Sequence, residues 1–287
     1  MFSESRGTKS FAVVTDSTAD LGSAIAAEHG ITVVPLTVSF GEETFVDGEL
    51  SQQEFFDRMN SAPALPTTSQ PSIGAFAEAY TKALEVADDV ISVHISSRLS
   101  GTIGSARQAA EQFAGRVHVF DSRNLSWGLG WQVVDAAQAA AEGLGPDAAL
   151  IRLARLRDRV KLIVGFDSLD NLARGGRIGK VGVFFGAMLN LKVTLTVDGN
   201  GEFVPLERSR GEKAALRHTL DWIAEQMGTS TNGKFAVGHA MSLERAKTLA
   251  DQLKERYSVT DLVIYEAGSV ISTHTGPGWG VAVVPGD

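Results

Sequence analysis

The sequence predicts an α/β fold in two domains, residues 1–160 forming a mainly parallel sheet with flanking helices and residues 161–287 a mixed α+β domain. Three observations carry this expectation. From Phe11 to Arg159 short apolar runs alternate with helical patterns, the order that lays helices over a parallel sheet. Beyond about residue 160 the order changes to strands joined through an Asp198-Gly199-Asn200-Gly201 turn, a hairpin signal. The chain, at 287 residues, is also about twice the commonest domain length.

Element by element, Phe11-Ala12-Val13-Val14 reads as a buried strand running into Thr15-Asp16-Ser17-Thr18. A helix over 21–29 follows, then one strand over 31–40 leading to Gly41 and the Asp47-Gly48 turn. A helix over 52–59 precedes a loop rich in proline and hydroxyls over 63–71. Ile73, Phe76, Tyr80, Leu84 and Ala87 recur at helical spacing, and 89–96 returns as strand. Ser100 can cap a helix over 102–113, whose apolar stripe is Ile103, Ala106, Ala110 and Phe113. A strand over 117–120 and the Asp121-Ser122 turn lead to an alanine-rich helix near 127–142 and another near 147–159. The second domain shows strands over 161–166, 192–197 and 202–208, helices near 212–227 and 243–256 around a strand over 235–239, and extended segments over 259–266, 269–274 and 279–284.

Composition narrows the chemistry. With 44% hydrophobic and 21% charged residues the chain is an ordinary globular one. It contains no cysteine, which excludes disulfides, thiolate nucleophiles and cysteine-ligated metal centres. The six histidines show no metal-site spacing, so no metal is expected. A net charge of -8 without a Lys/Arg block argues against nucleic acid as a partner. Met1 to Gly7 lack the apolar run of a secretory signal, and the apolar stretch 181–197 is interrupted by Asn190 and Lys192. A cytoplasmic protein without stable membrane insertion is the expectation.

Three loops at the strand C-ends carry hydroxyls: Thr15-Asp16-Ser17-Thr18, Thr67-Thr68-Ser69-Gln70-Pro71, and Ser96-Ser97-Arg98-Leu99-Ser100-Gly101-Thr102. A helix N-terminus offers unpaired N–H groups and a partial positive charge, so hydroxyls there suit an anion, although each could equally be a plain helix cap. His274, within Thr273-His274-Thr275-Gly276-Pro277-Gly278-Trp279-Gly280, is either structural or ligand-facing, and the glycines allow close backbone approach. Arg174-Gly175-Gly176-Arg177-Ile178-Gly179-Lys180 lacks Walker spacing and reads as a solvated basic turn or a surface for a charged partner. Arg208 and Arg210 either add charge to the same cleft or make surface salt bridges.

Taken together, Val14-Thr15-Asp16-Ser17-Thr18, Thr68-Ser69-Gln70-Pro71, Ser97-Arg98-Leu99-Ser100-Gly101-Thr102, Arg174-Gly175-Gly176-Arg177-Ile178 and His274-Thr275-Gly276-Pro277-Gly278 resemble the DegV family of bacterial fatty-acid-binding proteins. The resemblance implies a two-domain DegV-like fold with one fatty acid, such as palmitate, stearate or oleate, between the domains. It implies that Thr68 and Ser100 bind the carboxylate with His274 in the surrounding network and Arg210 near the headgroup. Asp16, Ser17, Ser69, Gln70, Gly101, Thr102 and Gly276 belong to the supporting loops. It implies no cofactor and no catalysis by the chain itself. The carrier would present its lipid to an ATP-dependent fatty-acid kinase, with Arg174, Arg177 and Lys180 as a possible partner surface. Phe40, Phe76, Phe184, Phe185, Met188 and Leu189 are candidates for the tunnel wall or for plain core. Two other readings remain: a serine hydrolase using Ser100, His274 and an acid such as Asp16, and a small-anion-sensing regulator.

Overall fold

The computed structural model describes residues 9–179, 182 and 191–286. The strands are β1 Lys9–Asp16, β2 Ile31–Val34, β3 Thr37–Phe40, β4 Glu43–Val46, β5 Thr67–Ser69, β6 Ala87–His94, β7 Val117–Asp121, β8 Lys161–Phe166, β9 Leu191–Val197, β10 Phe203–Arg210, β11 Asn232–Ala240, β12 Ser258–Glu266 and β13 Gly278–Pro285. The helices are α1 Gly22–His29, α2 Gln52–Ser61, α3 Ile73–Ala83, α4 Thr102–Ala110, α5 Ser126–Ala141, α6 Pro146–Arg159, α7 Asp170–Arg174, α8 Glu212–Met227, α9 Leu243–Arg256 and α10 Ser269–Thr275.

Three sheets result. The first, in order β2-β1-β6-β7, is parallel throughout, as the strand–helix alternation requires. The second, β10-β9-β8-β13-β11-β12, is antiparallel except for the β11–β12 pair. A small antiparallel sheet, β4-β3-β5, completes the set. The chain leaves the first sheet for the second at the junction of α6 and β8, where the sequence pattern changes.

Helix α5 joins the two large sheets. Its sequence, Ser126-Trp127-Gly128-Leu129-Gly130-Trp131 and the alanines beyond, is apolar on nearly every face, and a helix of that kind belongs in an interior. It lies in one core cluster with Phe11, Val13, Ile91 and Val93 from the parallel sheet and Leu162, Leu195 and Ala282 from the mixed sheet.

Four local expectations change. The strand expected over 31–40 divides at Pro35 into β2 and β3, which belong to different sheets. Proline has no N–H to give to a ladder, and the chain turns there. The loop over 63–71 contains β5, paired with β3. Helix α3 stops at Ala83, and Ala87, which fits its spacing, instead opens β6. The segment 269–274, expected as extended, is helix α10. Its N-terminus is held by Asp47, whose Oδ1 accepts from Ser269 Oγ at 2.9 Å and from Val270 N–H at 3.2 Å. Tertiary capping overrides propensity here.

Candidate functional site

Three separate elements bring hydroxyls and a histidine to one place. Thr68 comes from β5, Ser100 from the turn before α4 and His274 from the last turn of α10. They line a cavity enclosing about 470 Å³, with Thr18 and Arg177 and an apolar wall that includes Leu36, Ile95, Leu99 and Val270.

His274 Nε2 lies 2.8 Å from Thr68 Oγ1. Nδ1 is buried without a hydrogen-bond partner among the described residues. Burial, and secondarily the Arg177 guanidinium, push the imidazole down to about 4, so His274 is neutral at neutral pH. With its proton on Nε2 the ring donates to Thr68 Oγ1, leaving the threonine hydroxyl hydrogen free to turn into the cavity. Gly175 makes room for the ring: a Cβ there would sit 2.4 Å from Nδ1.

Ser100 has two roles. Its Oγ accepts from Thr102 N–H at 3.2 Å and lies 2.8 Å from Thr102 Oγ1, so it fixes the start of α4 while lining the cavity. The positive end of α4 therefore adjoins the same space. Gln70 and Gly101 hold β5 against this turn. Gln70 Nε2 donates to Ser105 Oγ at 2.9 Å, and its amide packs so tightly on Gly101 that a Cβ would fall 2.1 Å from Oε1. Ser69 is exposed, and Thr102 is buried at the first position of α4.

The first hydroxyl loop works differently. Asp16 is fully buried and accepts from His94 Nδ1 at 2.9 Å, Ile95 N–H at 3.1 Å and Thr18 N–H at 3.1 Å, and also from the Thr18 hydroxyl. Ser17 Oγ accepts from Leu36 N–H at 3.1 Å. Both residues hold the fold, and their neighbour Thr18, which sequence reading did not single out, reaches the cavity. A triad of Ser100, His274 and Asp16 is not assembled, because Asp16 accepts from His94 rather than His274.

The basic residues also sort themselves. Arg177 lines the cavity while its Nη1 donates to Gly175 O at 2.6 Å. Arg174 is exposed at the end of α7, and Lys180 lies outside the described residues. Arg210 stands exposed at the end of β10, opposite Leu191, and lines neither this cavity nor its neighbour.

That neighbour encloses about 430 Å³ and shares Leu125, Phe203, Ile271 and Thr275 with the first. Small residues form the sheet part of its wall. Gly238 pairs with Gly280, and Ala240 with Gly278, on adjacent strands. Phe166, Tyr265 and Ala267 complete the wall, along with Gly276 at the end of α10. Phe40 and Phe76 lie elsewhere, Phe40 against Phe45 and Phe55 and Phe76 against Tyr80 and His94. Phe184, Phe185, Met188 and Leu189 lie outside the described residues. The sequence signal for this chamber was the period-two glycine run 276, 278, 280, legible as close backbone approach but not as a cavity.

Among the described residues there is no helix long and apolar enough to cross a membrane and no cluster of groups able to hold a metal ion.

Comparison with known proteins agrees with this architecture. A DegV domain-containing protein from Deinococcus radiodurans is 38% identical over 96% of this chain and 99% of its own length. A DegV family protein from Thermus thermophilus, described for its fatty acid binding, superposes with a TM-score of 0.91 at 36% identity, covering 96% of this chain and 99% of that one. DegV of Bacillus subtilis, a fatty acid binding protein, gives a TM-score of 0.86 at 32% identity with coverage of 96% and 99%. The family model described as "Uncharacterised protein, DegV family" matches residues 10–286, and the chain belongs to that family.

Proposed function

We propose that the protein binds one long-chain fatty acid, such as palmitate, stearate or oleate, with its carboxylate at Thr68, Ser100 and His274 and its alkyl chain in the glycine-lined chamber. The observation that carries this reading is the junction of a polar and an apolar cavity through four shared residues, Leu125, Phe203, Ile271 and Thr275. A carboxylate withdrawn from water is costly unless several donors meet it. Thr68, Ser100 and the positive end of α4 are such donors, and Arg177 supplies opposite charge at the polar cavity. Each buried methylene contributes about 0.8 kcal/mol, so the chain supplies most of the affinity and the headgroup fixes direction.

The placement of the carboxylate near exposed Arg177 also suits presentation to a second protein. In this reading a fatty-acid kinase brings ATP to Arg174 and Arg177 and converts the bound carboxylate to an acyl phosphate. Native and denaturing mass spectrometry of gently purified protein tests the lipid part. About one fatty acid per chain supports it, and a chain that neither carries nor takes up fatty acid sinks it. Arg177→Glu tests the kinase part: acyl-phosphate formation should drop by more than any loss of bound lipid, and turnover that merely follows occupancy removes the partner role.

A further inference from the structure

The apolar chamber and a larger groove outside it meet at one residue. The groove encloses about 1710 Å³ between α1 and β12, with Leu21, Ile25, Val263 and Ile264 in its wall. Among the described residues Tyr265 alone lines both spaces. The chamber floor is the paired backbone of β11 and β13, and Phe166 and Trp279 beside it are buried. The open space beyond the chamber, away from the polar cavity, therefore lies on the Tyr265 side.

Tyr265 is held there by packing and by a bridge of hydrogen bonds. Its ring lies on Gly238, where a Cβ would fall 2.3 Å from Cζ, so the glycine admits the ring. The Trp127 ring packs beside it, with centroids 5.9 Å apart. The Tyr265 hydroxyl lies 2.7 Å from Ser126 Oγ, which lies 2.5 Å from Asp20 Oδ2. Asp20 Oδ1 accepts from Gly268 N–H at 3.0 Å, so the bridge returns to the segment that carries Tyr265. Burial pushes the Asp20 carboxyl up to about 8, and at neutral pH the bridge is uncharged where it borders an apolar space.

The backbone of this bridge is the second, independent observation. Asp20 and Ser126 have φ of 52° and 49°, in the left-handed region. Serine seldom adopts it, and such a conformation persists where the surroundings over-determine it. Here the left-handed turn at the start of α5 aims Ser126 Oγ at Asp20 and Tyr265 together.

We propose that Tyr265 sets the longest acyl chain the protein binds, as a fixed stopper between chamber and groove, with Ser126 and Asp20 as its positioning residues. This rests on the fatty-acid reading of the two cavities. Up to the stopper, each further methylene is buried and strengthens binding about fourfold. Beyond it, a methylene has to displace a ring packed on Gly238 and Trp127 and bonded at its hydroxyl. Affinity should rise with chain length and then break.

The experiment is competitive native mass spectrometry of the full chain, freed of lipid, with a homologous series of straight-chain saturated acids. Tyr265→Ala should move the break to longer acids. Acids just above the original break should gain about tenfold or more, while shorter ones weaken because they lose the ring as a wall. A general loosening of the fold would weaken every length alike, so the position of the break is the readout. Tyr265→Leu, shorter than tyrosine and still apolar, gives the same test if the alanine variant does not fold. Tyr265→Phe keeps the ring and cuts the bridge, and should blunt the break; a break as sharp as before removes Ser126 and Asp20 as positioning residues. If the unaltered chain binds none of the acids, the fatty-acid reading fails and the stopper with it. If it binds them and the break stays where it was in the folded Tyr265 variants, the stopper alone is wrong.

Discussion

At its polar end the cavity pair is made by what side chains present, and at its apolar end by glycines and aromatic rings that shape a space. Thr68, Ser100 and His274 reach the first cavity from three elements far apart in sequence, each held by a named contact: Gln70 on Gly101, Ser100 on Thr102, Asp47 on the start of α10. The second cavity lies over a stretch of sheet that carries Gly238, Gly278 and Gly280, with the Tyr265 ring packed on Gly238. Under the proposed function, recognition of a headgroup is local and directional, whereas acceptance of a chain depends on volume. The two ends should therefore fail in different ways when altered.

Filling the space over that stretch of sheet should have the largest effect. Gly280 is the position to use, because a Cβ there meets only Val164 Cγ1 at 3.3 Å and Ile163 O at 3.6 Å, so Gly280→Val can fold. Excluding about four methylenes costs about 3 kcal/mol, over a hundredfold in affinity for long chains. Lipid mass spectrometry should show the bound population moving to shorter acids; an unchanged population would mean the chain lies elsewhere. At the polar end, Ser100→Ala removes one hydrogen bond to a charge, worth about 1.5–3 kcal/mol, and should weaken all chain lengths alike. Loss of its bond from Thr102 N–H, just before the Gly101 N-cap of α4, should lower stability by only about 1 kcal/mol. If Ser100→Ala instead alters chain-length preference, the division between the ends is wrong.

Gly175→Ala comes next. Its backbone φ of -76° suits alanine, the tightest contact is with the imidazole at 2.4 Å and the next with Asn171 O at 3.0 Å, and the expected loss is about tenfold in fatty-acid affinity with the fold retained. Calorimetry against His274→Gln checks it, since the two changes should not add if Gly175 acts through His274.

The smallest effect is in pH. His274 titrates near 4 in the folded chain against 6.5 ordinarily, so between these values the unfolded chain holds a proton that the folded chain does not. Stability contributed by the neutral ring is therefore complete above pH 6.5 and falls as the pH is lowered towards 4. The loss should be about 1 kcal/mol between pH 6.5 and about pH 5.5, and His274→Gln should flatten that segment of the melting-temperature profile. A slope unaffected by the substitution would place the titration in another group.

Legibility in the sequence follows the same contrast. Residues that present chemistry leave a positive mark, so Thr68, Ser100 and His274 stand out as hydroxyl-rich turns and a glycine-flanked histidine. Asp16 leaves the same mark but spends its carboxylate on His94, a pairing across two strands that sequence distance hides. Arg177 resembled a solvated turn until the chain around Gly175 brought it beside His274. The chamber wall was harder still, because Phe76, which the sequence offers as a lining residue, packs on His94, while the wall combines four glycines with the aromatics Phe166, Phe203, Tyr265 and Trp279. For the fold, the alternation that predicts the parallel sheet is local and was readable, while the division of 31–40 and the helix at α10 depend on partners distant in sequence.

The little sheet β4-β3-β5 has a kinetic consequence. Of its three strands only Val38 is a buried residue, whereas α5 is locked between two large sheets. Elements with few buried contacts open at lower free energy than those fixed in the core. Thr68 therefore sits on a part of the molecule that opens more readily than α5, tethered by Gln70 to Ser105. Under the proposed function, a lipid could load and leave by transient detachment of that strand, with the two large sheets staying in place. Hydrogen exchange would reveal it as rapid labelling at 67–69 that slows on lipid binding, with α5 protected throughout.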